Sequence, residues 1–133
     1  MKIIFIISII CNILLIGILL ITQFVNYPSY KYISENEFTK FHTNYSKKML
    51  LMVGPIMSVE FLFTVILFVS NSNFLTALIL VSLIWVLTFL FIVPIHNQLE
   101  KSYDYEQNKK LIKLNGYRTC LWTIKFIFLI CTI

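Results

Sequence analysis

Four apolar stretches constrain the fold more than any other feature of this 133-residue chain. They cover residues 3–22, 49–69, 74–93 and 119–133. A helix needs about 20 mostly apolar residues to cross a hydrocarbon layer of about 30 Å, and these stretches approach or reach that length. Composition agrees, because 59% of the residues are hydrophobic and only 13% are charged, which is more apolar surface than a small soluble core can bury. The sequence therefore predicts an all-α integral membrane protein, a single domain over residues 1–133 with four transmembrane helices in one bundle.

The first stretch resembles a secretory signal only at its basic start, Lys2. Its apolar run exceeds the signal core of about 7 to 15 residues, and no small-x-small cleavage site follows it, so we expect a retained helix. The cysteines lie within or beside apolar stretches and show no CxxC spacing. They are typical of small core residues rather than of a redox pair or a disulfide framework.

Basic residues separate the two sides of the predicted bundle. Residues 23–48 contain four lysines, and residues 94–118 contain four lysines and one arginine, whereas the other side has only Lys2 and an uncharged turn at 70–73. The positive-inside rule then places the two long loops in the cytoplasm and both termini on the opposite side, in a bacterial inner membrane. The net charge of +5 fits a collar attracted to anionic lipid rather than a nucleic-acid surface.

Both long loops contain signals for helix starts. Ser34 and Glu37 have capping-box spacing, so a helix is expected to begin near Glu35 and to continue into the second span. Asp104 and Gln107 have the same spacing, which predicts a short helix over residues 105–114 that bends or breaks at 115–116. Pro55 should kink the second span. These helical extensions of loops one and three are expected to lie beside the membrane.

Glu60 is the residue that most requires an explanation. It lies about 16 Å along the second span, near the middle of the hydrocarbon layer, where an acid is costly and should face the bundle interior. Lys125, in the fourth span, is the expected partner, and Arg118 is the alternative. Glu60 is also a candidate catalytic base. A purely structural ion pair, or a protonated Glu60 held by hydrogen bonds, stays open as the other interpretation.

Two histidines extend this hypothesis to the loop side. His42 lies five helical turns before Glu60, and His96 follows Pro94 at the same predicted boundary. Imidazoles titrate near neutral pH, so both are candidate catalytic residues. The predicted cytoplasmic pocket has Glu60 at its floor, and its candidate substrate-binding residues are Tyr45, Asn97, Arg118 and Lys125. Two scattered histidines lack metal-ligand spacing, so no metal site is predicted. Helix capping and headgroup contacts are the structural alternative.

A resemblance adds to these patterns. VPIHNQL, residues 93–99, and NGYRTCLW, residues 115–122, resemble patterns of small four-helix bacterial membrane proteins of unknown function. The matching residues are Pro94, Asn97, Leu99, Arg118, Thr119 and Trp122. Those proteins are similar to the anthrone oxygenase-like family, and FHTNYSKKMLLMVGPIMSVE, residues 41–60, resembles its second helix. The resemblance implies a four-helix fold and makes Asn97 and Arg118 site residues. It also suggests a cofactor-independent oxidation.

Two functions compete at this point. The first is a small-molecule site for an apolar substrate at the cytoplasmic end of the bundle, with Glu60 or a histidine removing a proton while Arg118 and Asn97 hold the oxyanion. The second is a non-catalytic membrane subunit whose buried polar residues fix helix packing. An enclosed cavity would favour the first, and a tightly packed Glu60 would favour the second. A channel would require several copies of the chain. Homo-oligomerisation, the identity of any cofactor and the question of catalysis stay undecided.

Overall fold

The computed structural model describes residues 1–132, which form four long helices and no strand. Helix α1 is Lys2–Tyr32, helix α2 is Glu35–Ser70, helix α3 is Ser72–Leu99 and helix α4 is Tyr105–Cys131. The connections are short, so consecutive helices run antiparallel. Helices α1, α2 and α3 are long and apolar enough to cross a membrane. Ile133, the end of the predicted fourth span, lies outside the described residues.

The predicted helix starts are found where the loops end. Ser34 precedes α2 with an extended backbone, and its hydroxyl donates to Glu37 Oε2 at 3.2 Å. Asp104 precedes α4, and its Oδ1 accepts from the backbone N–H groups of Glu106 at 2.9 Å and Gln107 at 3.1 Å. This is the usual way in which an N-cap satisfies the free donors of the first turn. Helix α2 passes through Pro55 without interruption.

The predicted break at Asn115-Gly116 is wrong, because α4 is continuous from Tyr105 to Cys131. Asn115 is buried, and its side-chain amide donates to Leu19 O at 3.2 Å and to Gln23 Oε1 at 2.8 Å. These contacts tie α4 to α1 at the position where local propensity favours a bend. Tertiary hydrogen bonds therefore override a weak local signal.

The four helices close into a ring in which each helix packs against the two beside it. Helices α1 and α3 are one diagonal of this ring, and α2 and α4 are the other. Three groups of buried apolar side chains follow one another along the bundle axis. One lies at the end with the α1–α2 and α3–α4 connections, which we call the loop end, one lies in the middle and one lies at the far end. The outer surfaces are also apolar, with large side chains exposed on all four helices.

Two π-helical turns widen the bundle near its loop end. One is Thr22–Asn26 in α1 and the other is Thr88–Ile92 in α3. Each ends two residues before a proline, Pro28 or Pro94. Proline lacks an N–H group and its ring collides with the carbonyl of residue i−4, so the turn that precedes it must widen or bend. The two π-helical turns thus change the direction of the side chains that follow them, Tyr27 and His96 among them.

Candidate functional site

A cavity of about 380 Å³ lies between α2 and α3. Tyr27 of α1 and Arg118 of α4 are part of its lining. We call it the His96 cavity. Its volume is within the range of about 300–1,000 Å³ that is common for small-molecule sites. Along α2 the lining extends from Tyr45 to Ser58, which corresponds to about 20 Å of helix. The cavity is therefore an elongated slot that runs parallel to the helices.

The two ends of the slot differ in chemistry. Toward the long loops its lining carries the ionisable and amide side chains, which are Tyr27, Tyr45, Lys47, His96, Asn97, Glu100 and Arg118. Toward the middle of the bundle it is mainly apolar, with Val53, Met57, Trp85 and Phe89. Leu50 and Phe89 on the rim are 70% and 54% exposed, so the outer wall of the slot is also the outer surface of the bundle.

A hydrogen-bonded line of three side chains lies at the polar end. The Tyr27 hydroxyl is 3.1 Å from His96 Nε2, and His96 Nδ1 is 3.2 Å from His42 Nε2. Tyr27 and His96 line the cavity, while His42 is completely buried behind them. Because both ring nitrogens of His96 are occupied, a molecule in the cavity would meet this line through the Tyr27 hydroxyl or the face of the His96 ring.

Aromatic rings hold this line rigidly. The planes of the two imidazoles are within 14° of parallel, and the Phe38 ring stacks on His42 at a centroid distance of 5.4 Å. Tyr30 meets His42 edge-on at 5.2 Å. Among residues 1–132, His42 Nδ1 has no hydrogen-bond partner. A neutral imidazole carries one N–H and one bare nitrogen, so the direction of all hydrogen bonds in the line is reversible.

Among the residues that the structure describes, Arg118 is the only cation on the inner wall of the cavity. Its side chain is buried, with 8% of the residue exposed, and its Nη2 donates to Asn115 Oδ1 at 2.9 Å. Within residues 1–132 its Nε has no hydrogen-bond partner, and no carboxylate lies within 4.0 Å of the guanidinium. A buried charge is costly unless it is paired. The cavity therefore presents a positive charge that the described part of the chain does not neutralise.

Two further polar lining residues, Tyr45 and Glu100, are held by neighbouring side chains. Tyr45 accepts a hydrogen bond from Asn26 Nδ2 at 2.9 Å. Glu100 accepts one from the Ser46 hydroxyl at 2.7 Å, which joins α2 to the end of α3. Asn97 lies on the exposed rim. These contacts fix the shape of the polar end before any ligand binds.

A second buried polar group, which we call the Glu60 cluster, lies deeper in the bundle. Lys125 Nζ of α4 contacts Glu60 Oε1 of α2 across one diagonal of the ring, and both residues are completely buried. The same carboxylate oxygen accepts from the side chains of Ser8 at 3.2 Å, Asn12 at 3.0 Å and Thr64 at 2.9 Å. The Glu60 cluster is thus an ion pair between α2 and α4 that is surrounded by hydrogen-bond donors from α1 and α2.

The structure separates residues that the sequence interpretation combined. His96, Tyr45, Asn97 and Arg118 line one cavity, as predicted, with His42 directly behind His96. Glu60 and Lys125 pair with each other, as predicted. However, neither lines the His96 cavity, whose lining on α2 ends at Ser58. Helical phase placed Glu60 under the pocket, but its side chain turns toward α1 and α4.

Sequence reasoning missed Tyr27. Tyr27 lies just beyond the first predicted span, and its ring is buried and contacts His96. The following residue, Pro28, was the available signal, since proline near a helix end often accompanies an irregular turn. Residues 1–132 contain no group of three or more metal-ligating side chains that could hold an ion.

Comparison with known proteins found no matching protein-family model, no similar curated protein and no similar solved structure.

Proposed function

We propose that the chain crosses a bacterial inner membrane four times, with α4 as the fourth span. The outward face of α4 is apolar, with Ile124, Ile127 and Ile130 all exposed. Its one charged residue after Arg118, Lys125, turns inward to Glu60, which lies near the middle of the apolar stretch 49–69 of α2. An ionisable group that faces the bundle interior is compatible with a spanning helix. The lysines near the two longer connections favour a cytoplasmic location for that end.

We propose further that the His96 cavity binds a small amphipathic molecule and exchanges a proton with it. The observation that carries this proposal is the line Tyr27–His96–His42, which meets the cavity at its polar end. When a proton leaves the ligand for the Tyr27 oxygen, the Tyr27 proton can pass to His96 Nε2 and the Nδ1 proton to His42. Such a relay allows a phenol to act as a base without holding a negative charge. Arg118, on the same wall, would stabilise the anion that forms.

The resemblance to the anthrone oxygenase-like family supplies one reaction that this arrangement could support. Removal of a proton from an activated CH₂ group gives a carbanion, which molecular oxygen oxidises. The balance is CH₂ + O₂ → C=O + H₂O, so the four electrons come from the substrate and no cofactor is needed. The roles of Tyr27 and His96 would be proton removal, and that of Arg118 would be oxyanion stabilisation.

Oxygen uptake by the purified protein tests this reaction, with anthrone as the probe. We expect the wild-type chain to accelerate the formation of the ketone over a blank of lipid and detergent. Tyr27→Phe and His96→Gln should each lower the rate about 100-fold or more, since general acid–base groups contribute about 10²- to 10⁴-fold. Tyr103→Phe, a buried tyrosine hydroxyl outside the cavity lining, is the matched control and should keep the rate. A wild-type rate equal to the blank would contradict the oxidation.

A non-catalytic packing role is the second candidate function, and the Glu60 cluster favours it. Polar residues from α1, α2 and α4 meet there and do not line the His96 cavity. This candidate predicts that a variant without the pair keeps every ligand-dependent property, provided that it folds. The two candidates concern different parts of the molecule, so they are compatible with each other.

A further inference from the structure

The uncompensated charge of Arg118 also indicates which class of ligand the cavity binds. We infer that the natural ligand of the His96 cavity is a single-chain amphiphile with an anionic carboxylate or phosphate head group, which Arg118 binds. This inference rests on the proposed binding function and specifies its ligand. The guanidinium has one protein acceptor, Asn115 Oδ1, and among residues 1–132 it has no carboxylate within 4.0 Å. Arginine binds carboxylates and phosphates through two parallel hydrogen bonds.

The net charge of the lining at the polar end favours an anionic ligand. Lys47 and Arg118 contribute two positive charges to the lining and Glu100 contributes one negative charge, which leaves a net charge of +1 with neutral imidazoles. Glu100 is turned to the Ser46 hydroxyl at 2.7 Å and forms no ion pair with Arg118. The acid therefore leaves the inner cation free for a ligand.

The shape and volume of the cavity favour a ligand with a single apolar chain. From Arg118 and His96 the slot continues along an apolar wall of Val53, Met57 and Trp85 toward the middle of the bundle. A head group at Arg118 thus leaves the apolar part of the ligand parallel to the helices, as a lipid chain lies in a membrane. At about 380 Å³ the cavity is near the small end of ligand sites, which favours one chain over the two chains of a phospholipid.

The exposed rim gives a route of entry. Leu50 of α2 and Phe89 of α3 belong both to the lining and to the outer apolar surface. A ligand dissolved in the bilayer can therefore enter sideways between α2 and α3. Its anionic end would come to the level of the α1–α2 and α3–α4 connections, where lipid headgroups lie in the proposed orientation.

Fluorescence quenching in lipid nanodiscs tests the inference directly. The full chain is placed in neutral phosphatidylcholine discs at mildly alkaline pH and titrated with 11-bromoundecanoate or with 11-bromoundecanol, whose bromine quenches tryptophan. Trp85 lines the cavity and reports occupancy, and Trp85→Phe identifies the part of the signal that comes from it. Both probes are compared at equal mole fractions in the bilayer, so that differences in partitioning do not enter.

We expect saturable quenching by the anion at a mole fraction at least about tenfold below that of the alcohol, because hydrogen bonds to charged groups contribute about 1.5–3 kcal/mol. Arg118→Gln should reduce this ratio to about 1. Arg118→Lys should keep a preference for the anion. Lys113→Gln, which removes an exposed charge from the same helix, is the matched control and should leave the ratio unchanged.

Each other outcome overturns a different statement. Equal saturation by both probes in the wild-type chain, or an unchanged ratio in Arg118→Gln, overturns the anionic ligand and leaves the binding function in place. The absence of saturable quenching by either probe overturns the binding function as well. If phosphatidylglycerol displaces the bromoundecanoate at an equal mole fraction, the ligand is a bilayer phospholipid and the restriction to one chain is wrong. The wild-type comparison needs no variant, so misfolding of Arg118→Gln cannot hide the result.

Discussion

The two buried polar regions of this bundle differ in whether their charges are paired within the protein. The Glu60 cluster joins an acid, a base and three neutral donors so closely that charge is balanced inside the protein. The polar end of the His96 cavity contains a buried cation without an acid, and a line of groups that can reverse their hydrogen bonds. Balanced polar groups fix a structure, whereas unbalanced groups beside a cavity are the usual property of a site. From this difference we propose a packing role for the first region and a ligand-binding role for the second.

The location of α4 is the first test of this comparison and has the largest expected effect, because α4 either crosses the membrane or does not. With four spans, Cys131 and a cysteine introduced by Asn71→Cys lie on the same side, opposite Lys101. A Cys120→Ser background removes the other exposed cysteine. Labelling with a membrane-impermeant thiol reagent should therefore modify both positions from outside the cytoplasm. Labelling of Cys131 from the cytoplasm would show three spans, and the pairing of Lys125 with Glu60 would then need another explanation.

Removal of Lys125 should have the largest effect on stability. Lys125→Met leaves Glu60 without its cation in a low-dielectric interior, so the free energy of unfolding should fall by about 3–5 kcal/mol. The double change Glu60→Gln, Lys125→Met leaves no unpaired charge and should recover most of that loss. Unfolding in mixed micelles measures Lys125→Met, the single change Glu60→Gln and the double variant. Lys113→Met is the control, with an expected change within about 0.5 kcal/mol because Lys113 is exposed.

Additive and mild effects of the two single changes would contradict the ion pair. Glu60 would then have to be a protonated acid held by Ser8, Asn12 and Thr64.

Loss of His42 should have an intermediate effect. His42→Phe removes one hydrogen bond and leaves His96 Nδ1 without a partner, so unfolding should become easier by about 1–2 kcal/mol. The aromatic neighbours Phe38 and Tyr30 can still pack on the new ring. Asn44→Ala, at an exposed position of the same helix, provides the comparison. Unchanged stability together with an unchanged ligand-dependent rate would remove His42 from both the structure and the relay.

Thr64 offers a smaller and sharper test of the Glu60 cluster. Its hydroxyl donates to Glu60 Oε1 at 2.9 Å, so Thr64→Val should cost about 1 kcal/mol in unfolding free energy. Thr123→Val is a close match, because that hydroxyl contacts only the backbone carbonyl of Thr119 at 2.8 Å. Thr123→Val should lower the free energy of unfolding clearly less than Thr64→Val does. Equal costs for the two threonines would mean that Glu60 gains nothing from its neutral donors.

The parts of this arrangement that the sequence predicted share one property: they follow from the distance along a helix. An acid in an apolar stretch must face inward, and counting residues from Arg118 placed Lys125 at a depth that can reach it. His42 lies near the start of α2 and His96 near the end of α3, so both are at the same end of the bundle, which predicted their proximity.

The parts that the sequence did not predict depend on contacts between distant segments. Tyr27 reaches His96 across the other diagonal because π-helical turns precede Pro28 and Pro94, and no periodicity shows such turns. The Glu60 side chain points away from the cavity because its carboxylate accepts hydrogen bonds from Ser8 and Asn12 of α1. The phase of α2 alone carried no information on which neighbour would contribute the donors.

Arg118→Met tests the central claim most directly, since it removes a buried charge as Lys125→Met does. If Arg118 serves a ligand and not the fold, this change leaves no acid unpaired, and the loss of its hydrogen bond to Asn115 Oδ1 is offset by the removal of an unpaired buried charge. The free energy of unfolding should therefore change by less than about 1 kcal/mol. The same variant should lose the preference for 11-bromoundecanoate over 11-bromoundecanol. A loss of about 3 kcal/mol or more, equal to that of Lys125→Met, would contradict the account and make Arg118 a second structural charge.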